Sequence, residues 1–473
     1  MSKEYLNASL APEKRAKALL EEMSLEEKAA QLTGVFPFDE EYKDFDGISK
    51  RVPHGIGEVS TLEMRRMETL EEVAAWQKKV QEIVMENSEH HIPAIFHMEG
   101  LCGPFIQDST SFPAGIGRGA GFDPEVEEKI AEIVSRQEAA CGITHILAPV
   151  LDISRDSRMG RQGETYGEDP ALASAMGAAY TKGIQKKETA GRKTESVAKH
   201  FLAFHNSNGG IHGAVSDTPP RLLEEIYGKP FQAAIQESDL LGIMPCYCTV
   251  NGEPVSASYG LLTKLLRDEM GFQGLCISDY GAVGNTHGSQ HVGETLEDAG
   301  LLCLKAGMDM ELPNPSGFGE KFLEKFRTGK ADISALNRAV LRVLTAKFRM
   351  GLFEHPFSLQ GEELKGVFSQ KTDREVSLLQ LLWQHHAGLH LFQRSALFFP
   401  FSLPEVANWL RRKKNSSNRS SCRLCKKVFW WIYPYVHDGI HLCHSEFHCR
   451  SQWGKSCKTR GNQNSSRNEY PVR

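Results

Sequence analysis

What the 473 residues lack narrows the function before any motif is read. No apolar run is long enough to span a bilayer, and the opening MSKEYLNASLAPEKRAKALLEEMSLEEKAAQL has no apolar leader core. The expectation is a cytoplasmic protein without a membrane partner. There is no Walker loop and no GxGxxG after a strand, so no nucleotide or other cofactor is expected. GIGRGAG at 115–121 is glycine-rich, but it follows Pro113 rather than a strand and does not read as an anion loop. Neither sign of charge dominates: a net charge of −5 and a pI of about 6.4 give no reason to expect nucleic acid as a partner. Metal-ligand spacing is missing as well. His90-His91 has no carboxylate or cysteine at such spacing and reads as a surface turn, and no metal is expected.

What is present, from about residue 10 to 353, is an alternation of helices with apolar 3–4 spacing and short apolar runs bounded by Gly or Pro. PEKRAKALLEEM reads as helix, and Ser24-Leu-Glu-Glu27 is a capping box that opens the next. TLEEVAAWQKKVQEIVMEN is followed by the strand IPAIFH, and PEVEEKIAEIVSRQEAA by ITHILAPVLD. PALASAMGAAYTKGIQK precedes SVAKHFLAF, and PRLLEEIYGKPFQAAIQ precedes LLGIMPCY. LLTKLLRDEM precedes GLCISDYGAV, ETLEDAGLLCLKA precedes MDMEL, and SALNRAVLRVLTAKFRMG closes the region near Gly351. Near-continuous apolar strands between helices predict a parallel sheet. This many units in about 340 residues predict an α/β fold of the closed (β/α)8, TIM-like type. An open doubly wound sheet is the alternative.

Beyond Pro356 the texture changes. Six of the eleven cysteines (Cys102, Cys141, Cys246, Cys248, Cys276 and Cys303) belong to the alternating region, several in apolar runs that suit reduced core thiols. The other five, Cys422, Cys425, Cys443, Cys449 and Cys457, crowd the tail, in a spacing that fits no zinc finger. Residues 411–473 hold fourteen Lys plus Arg against three Asp plus Glu, a net of about +11, which leaves about −16 for the remainder. The expectation is a barrel over 1–356, a linker over 357–380, and an atypical basic, cysteine-rich tail over 381–473 that is largely unstructured or frame-shifted.

In a barrel the chemistry sits on loops at the carboxyl ends of the strands. Polar residues that directly follow apolar runs are therefore the candidates. They are Asp279 after GLCIS, Glu99 after AIFHM, Lys199 and His200 ending ESVAKH, Arg155, Arg158 and Arg161 after LAPVLDIS, and Met244 to Tyr247 ending LLGIMPCY. A single acid in such a place more often caps a helix or pairs with a neighbour. Five polar strand ends together point to a sugar or phosphate site.

Six segments then carry a resemblance. KHFLAFHNSNGG resembles the Lys-His-Phe segment of glycoside hydrolase family 3, and SRDSRMGRQGETYGEDP its Arg-rich loop. IMPCYCTVNGEPVSAS resembles its Met-x-x-Tyr-x-x-x-Asn-Gly-x-Pro segment and ISDYGAV its nucleophile segment. MSLEEKAAQL and KFRMGLFEHP resemble its opening and closing helices. The matches are in family order and cover residues 10–356. The resemblance implies a retaining exo-β-glycosidase that removes terminal β-D-glucosyl or xylosyl residues from oligosaccharides or β-glycosides. It implies that Asp279 is the nucleophile and that Glu99 binds distal hydroxyls. Arg161, Lys199 and His200 are implied to hold further hydroxyls, Tyr247 to pack beside the nucleophile, and Tyr280 to offer an aromatic wall to the sugar. Glu164 and Asp169 are implied to brace the arginines. Glu99 stands where glucose-preferring members carry the shorter Asp, which tilts the expectation to β-xylosides.

The resemblance stops at the acid/base. In two-domain members that Glu comes from a following α/β sandwich. Here TDREVSLLQ begins like the entry to such a domain, but LLWQHHAGLHLFQRSALFFPF leaves the pattern, as a reading-frame change or truncation near residue 378 would. A barrel-only branch, acting on N-acetylglucosaminides, uses a His with an Asp two residues earlier. His212 falls at the His position, but Gly210 takes the Asp position and LAFH replaces Pro-Gly-His-Gly. The expected activity is thus a retaining glycosidase impaired by loss of its acid/base. The alternatives are a non-catalytic sugar-binding remnant or a barrel-only β-N-acetylhexosaminidase-like enzyme. The sequence is silent on oligomeric state.

Overall fold

The computed structural model of the chain describes residues 3–37, 44–369, 373, 374, 376 and 377. The expected tail over 381–473 lies outside the described residues. Six of the expected strands form where the apolar runs lie. Helices begin where short polar side chains can cap them. Ser24, Thr69, Asp123, Asp169, Thr295 and Asp332 each accept a backbone N–H of the first turn. The capping box at Ser24 is only half made. Ser24 accepts from Glu27 N, but the Glu27 carboxylate turns away to Ser88 and His90.

The strands are β1 (Gly34–Val35), β2 (Glu58–Ser60), β3 (Ile95–Met98), β4 (His145–Ile146), β5 (Glu195–Phe201), β6 (Gly242–Pro245) and β9 (Leu275–Cys276), all parallel and in that order. A small antiparallel hairpin, β7 (Thr249–Val250) and β8 (Glu253–Pro254), follows β6. The segment Asp309–Glu311 completes the ring. Asp309 N donates to Cys276 O (2.7 Å) and Ser278 N to Met310 O (2.9 Å) on one side. Glu311 N donates to Leu32 O (2.9 Å) and Gly34 N to Glu311 O (2.9 Å) on the other. The sheet is therefore a closed eight-stranded barrel, and the open doubly wound alternative is excluded. The runs that became β1 and β2 were not among the expected strands, because two and three residues are too short for a periodic signal.

The described chain does not leave the barrel at residue 356. Arg192, 1% exposed, forks onto the carbonyls of Ala139 (2.7 Å), His355 (3.0 Å) and Phe357. Ser358 N donates to Gln77 Oε1 (2.8 Å), Leu359 N donates to Ala140 O (2.8 Å), and Leu364 is buried in the helix Gly361–Phe368. The first part of the expected linker thus belongs to the barrel. His91 is exposed as expected of a surface turn, but His90 is not: its Nδ1 lies 2.6 Å from Glu27 Oε2. Glu27, Glu89 and His90 bring potential ligand atoms within 4.8 Å of one another, yet Glu27 is already committed to Ser88 Oγ, His90 N and the His90 ring. Among the described residues no helix is long and apolar enough to cross a membrane. Five of the described cysteines, Cys141, Cys246, Cys248, Cys276 and Cys303, are buried free thiols.

Inside the barrel lies a polar layer. Glu58 Oε1 on β2 stands 3.0 Å from Nδ1 of both His97 on β3 and His145 on β4. β2 and β4 are not neighbours in the sheet, so this contact crosses the interior. His145 Nε2 is 3.7 Å from Glu195 Oε2, and Glu195 Oε1 is 2.7 Å from Arg349 Nε. Burial opposes charge on both groups, but the two imidazoles hold the Glu58 carboxyl down to about 2. Glu58 and Glu195 likewise carry His145 up to about 9. A histidine raised in the folded state contributes stability below its unfolded value, near 6.5, and loses it as pH rises through the folded value. The urea midpoint of the chain should therefore fall between about pH 6.5 and 9, at up to about 1.4 kcal/mol for each unit of displacement. In His145→Gln that slope should flatten; an unchanged slope would place the effect elsewhere.

Candidate active site

Every sequence-predicted site residue is delivered by the carboxyl end of a strand or the loop after it. Glu99 follows β3, Arg161 lies in the loop after β4, Lys199 and His200 end β5, Tyr247 follows β6, and Asp279 and Tyr280 follow β9. Asp279 is 9% exposed, and its two carboxylate oxygens have different surroundings. Oδ1 accepts the Tyr247 O–H (2.7 Å) and the Tyr280 N–H (2.7 Å). Oδ2 has no hydrogen-bond partner among the described residues and faces His200 Nε2 at 3.7 Å. Burial raises the Asp279 carboxyl above the usual range, against the pull of the Tyr247 hydroxyl, Lys199, the Tyr280 N–H and Arg161.

Around this acid stand paired groups. Lys199 Nζ is 2.5 Å from Glu99 Oε2; the lysine side chain is 4% exposed and that of Glu99 24%, so the carboxylate is the part open to a ligand. Arg161 makes a fork to Glu164, Nε to Oε1 (2.8 Å) and Nη2 to Oε2 (2.7 Å), and its guanidinium lies 5.2 Å over the Phe204 ring. Arg161 Nη2 also stands 3.2 Å from His200 Nε2. His200 is oriented from behind, since its Nδ1 (2.8 Å) and its backbone N (3.2 Å) both meet Asp152 Oδ2. Burial, with Arg161 and Lys199 beside it, pushes His200 well below its ordinary value, and burial lifts Asp152 to about 8. The result is a cleft that offers carboxylate acceptors and cationic donors to neighbouring hydroxyls, with one Asp279 oxygen left unshared among the described residues.

A model of the Glycosyl hydrolase family 3 N terminal domain matches residues 24–346. The chain belongs to glycosyl hydrolase family 3. It is 32% identical over 308 residues to a β-xylosidase of Formosa agariphila, covering 61% of this chain and 43% of that protein. It is 32% identical to a periplasmic β-glucosidase of Salmonella typhimurium, over 60% of this chain and 36% of that one. A β-glucosidase structure from Erythrobacter marinus superimposes with a TM-score of 0.74 at 29% identity, over 81% of this chain and 51% of that chain. The chain spans about half the length, or less, of the curated relatives it matches.

Within this family 3 barrel the structure gathers Asp279, Tyr247, His200, Arg161, Lys199 and Glu99 into one cleft and sends other candidates elsewhere. Arg158 pairs with Asp156 on the surface (2.6 Å), and Arg155 is exposed. Among the described residues Asp169 meets no arginine; it caps the Pro170–Gln185 helix. Tyr280, expected as an aromatic wall, is anchored through its hydroxyl. Its hydroxyl turns into the barrel, 2.6 Å from His97 Nε2 and 3.1 Å from Ser60 Oγ, and its ring packs edge-on to Phe36. GIGRGAG is a short helix, Gly115–Gly119, whose glycines let the backbone approach the Glu164 and Tyr166 carbonyls; a β-carbon there would collide with them. Sequence reasoning missed Asp152 and Phe204. Asp152 closes the apolar run ILAPVLD, and that lone acid was the available signal.

His200 should titrate well below its ordinary value, because burial and two neighbouring cations disfavour its charge. Side-chain nitrogen NMR of histidine-labelled protein checks this. Arg161→Gln, which removes a cation 3.2 Å from Nε2, should move the His200 titration upward. An unaltered His200 with a midpoint near 6.5 would contradict the geometry.

Proposed function

We propose that the chain carries the nucleophile and sugar-binding half of a retaining exo-β-glycosidase acting on terminal glucosyl or xylosyl residues. The observation that supports it most is the asymmetry of Asp279. One oxygen is held by two donors while the other, buried 3.7 Å from His200 Nε2, has no hydrogen-bond partner among the described residues. A carboxylate so fixed is suited to attack an anomeric carbon and leave a glycosyl ester. The names of the relatives, β-xylosidases and β-glucosidases, point the same way.

Retention also needs a second carboxyl group, about 5–5.5 Å from the first, as acid and then base. The acids around this cleft are each engaged: Glu99 with Lys199, Asp152 with His200 and Glu164 with Arg161. His212 is placed against Tyr247 and Phe204, with Arg161 Nη1 3.5 Å from its Nε2; no carboxylate bonds it among the described residues. The barrel-only reading, in which this histidine would serve as acid/base, is therefore disfavoured. The sugar-binding remnant remains the competitor, favoured by the same engaged acids.

A good leaving group needs little proton donation, whereas water attack on the ester needs a base worth roughly 10²–10⁴-fold. The chain should therefore give a burst with dinitrophenyl β-glycosides, then very slow turnover. Azide should speed that turnover and yield a β-glycosyl azide, and Asp279→Ala should abolish the burst. Binding of glycosides with no covalent adduct on Asp279 in intact-mass measurements would favour the remnant. Brisk hydrolysis of xylobiose or cellobiose would show that an acid/base is present after all. Glu99 is one methylene longer than Asp, and its length should crowd a C6 hydroxymethyl, a term worth roughly 1–3 kcal/mol. Glu99→Asp should accordingly lower the xyloside-to-glucoside ratio of burst rates. An unchanged ratio would remove Glu99 from the specificity argument.

A further inference from the structure

A hydrogen-bonded chain in the barrel interior ends on the residue next to Asp279. Glu58 and Ser60, two apart on β2, point to the same side of the strand. In the tautomer that directs the Nδ1 proton of His97 to Glu58 Oε1, 3.0 Å away, the lone pair of the ring lies at Nε2. Tyr280 Oη lies 2.6 Å from that lone pair and donates to it. Ser60 Oγ, 3.1 Å from the same hydroxyl, is left to donate into Tyr280 Oη. Glu58, Ser60 and His97 are fully buried. Tyr280 is thus gripped at its hydroxyl by two strands, while its backbone N–H rests on Asp279 Oδ1 at 2.7 Å.

Packing alone does not call for such a chain. A phenylalanine at 280 would fill the same space, and apolar residues at 58, 60 and 97 would avoid burying charge, a change that is often neutral or stabilising. What the polar chain adds is direction. The tyrosine can neither rotate nor slide without leaving the His97 lone pair unmade, and an unmade buried partner is costly.

We propose that Glu58, Ser60 and His97 are positioning residues that act through Tyr280. They fix the peptide N–H that occupies Oδ1 of Asp279 and so hold the carboxylate in the orientation from which it attacks. This rests on the nucleophile role proposed above for Asp279. Displacement of a reacting atom by about 1 Å can cost on the order of 10²-fold in rate, so loss of the grip should appear in the chemical step rather than in binding.

The test measures labelling of the full chain by dinitrophenyl 2-deoxy-2-fluoro-β-xyloside, read by intact mass. His97→Phe and Tyr280→Phe should each slow the labelling rate constant by about tenfold or more, with the half-saturating concentration within about threefold. The double variant should be no slower than the worse single, because both changes cut the same chain. His97→Gln, which can still bridge two partners, should recover part of the rate. Additive losses, or single variants within about twofold of the parent, overturn the inference. A parent that is never labelled counts against the proposed function, and crystals then decide the present inference separately. In His97→Phe the Tyr280 N to Asp279 Oδ1 separation should lengthen beyond hydrogen-bond reach or the carboxyl should rotate. An unchanged 2.7 Å contact overturns it.

Discussion

Asp309, Met310 and Glu311, hydrogen-bonded to Cys276 and Ser278 on one side and to Leu32 and Gly34 on the other, turn an open sheet into a ring. Everything in the cleft depends on that closure. In a flat sheet β3 and β9 would stand four strand spacings apart, on the order of 19 Å, and Glu99 and Asp279 could not serve one ligand. In the ring their strands face each other across the cleft, with Lys199 of β5 between them: it touches Glu99 and its charge reaches Asp279. The closing segment is itself well tied. The Glu311 carboxylate accepts the backbone N–H groups of Ser316 (2.9 Å), Gly317 (3.0 Å) and Phe318 (2.7 Å).

Buried charge is sorted by depth along the barrel. In the interior, Glu58, His145, Glu195 and Arg349 alternate in sign, so each ion has a counter-ion and the set is close to neutral. At the cleft the balance differs. Arg161 and Lys199 are cations near Asp279, and His200 is kept uncharged between them and Asp152. A neutral imidazole there adds orientation without adding to the positive field on Asp279. A charged one would bind the carboxylate itself and blunt it as a nucleophile.

The ends of the strands were legible in the sequence because a polar residue after an apolar run stands out. Asp279, Glu99, Lys199, His200, Arg161 and Tyr247 were found in this way, and the motif order supplied their expected roles. What could not be read falls into three kinds. β1 and β2 are too short for periodicity, so their place in the ring rests on tertiary hydrogen bonds. Residues 357–368 looked like a linker because their attachment runs largely through backbone groups, which every sequence possesses: the Phe357 carbonyl held by Arg192 and the N–H groups of Ser358 and Leu359. Asp152, His97 and Glu58 act behind the cleft. Each sits in an apolar stretch where a polar side chain gives no hint of the partner that will satisfy it.

Tyr247 has one hydroxyl proton and two acceptors, Asp279 Oδ1 at 2.7 Å and the Tyr280 carbonyl at 2.9 Å. An ionised carboxylate attracts an O–H about twice as strongly as a neutral carbonyl does. While Asp279 is charged, the proton belongs to it; once that charge is lost, to a proton or to a covalent bond, the two acceptors become comparable and the O–H is free to swing. The direction of a single bond therefore registers whether the carboxylate beside it is ionised, and the vibrational frequency of that one phenol is a gauge of it, already installed in the fold.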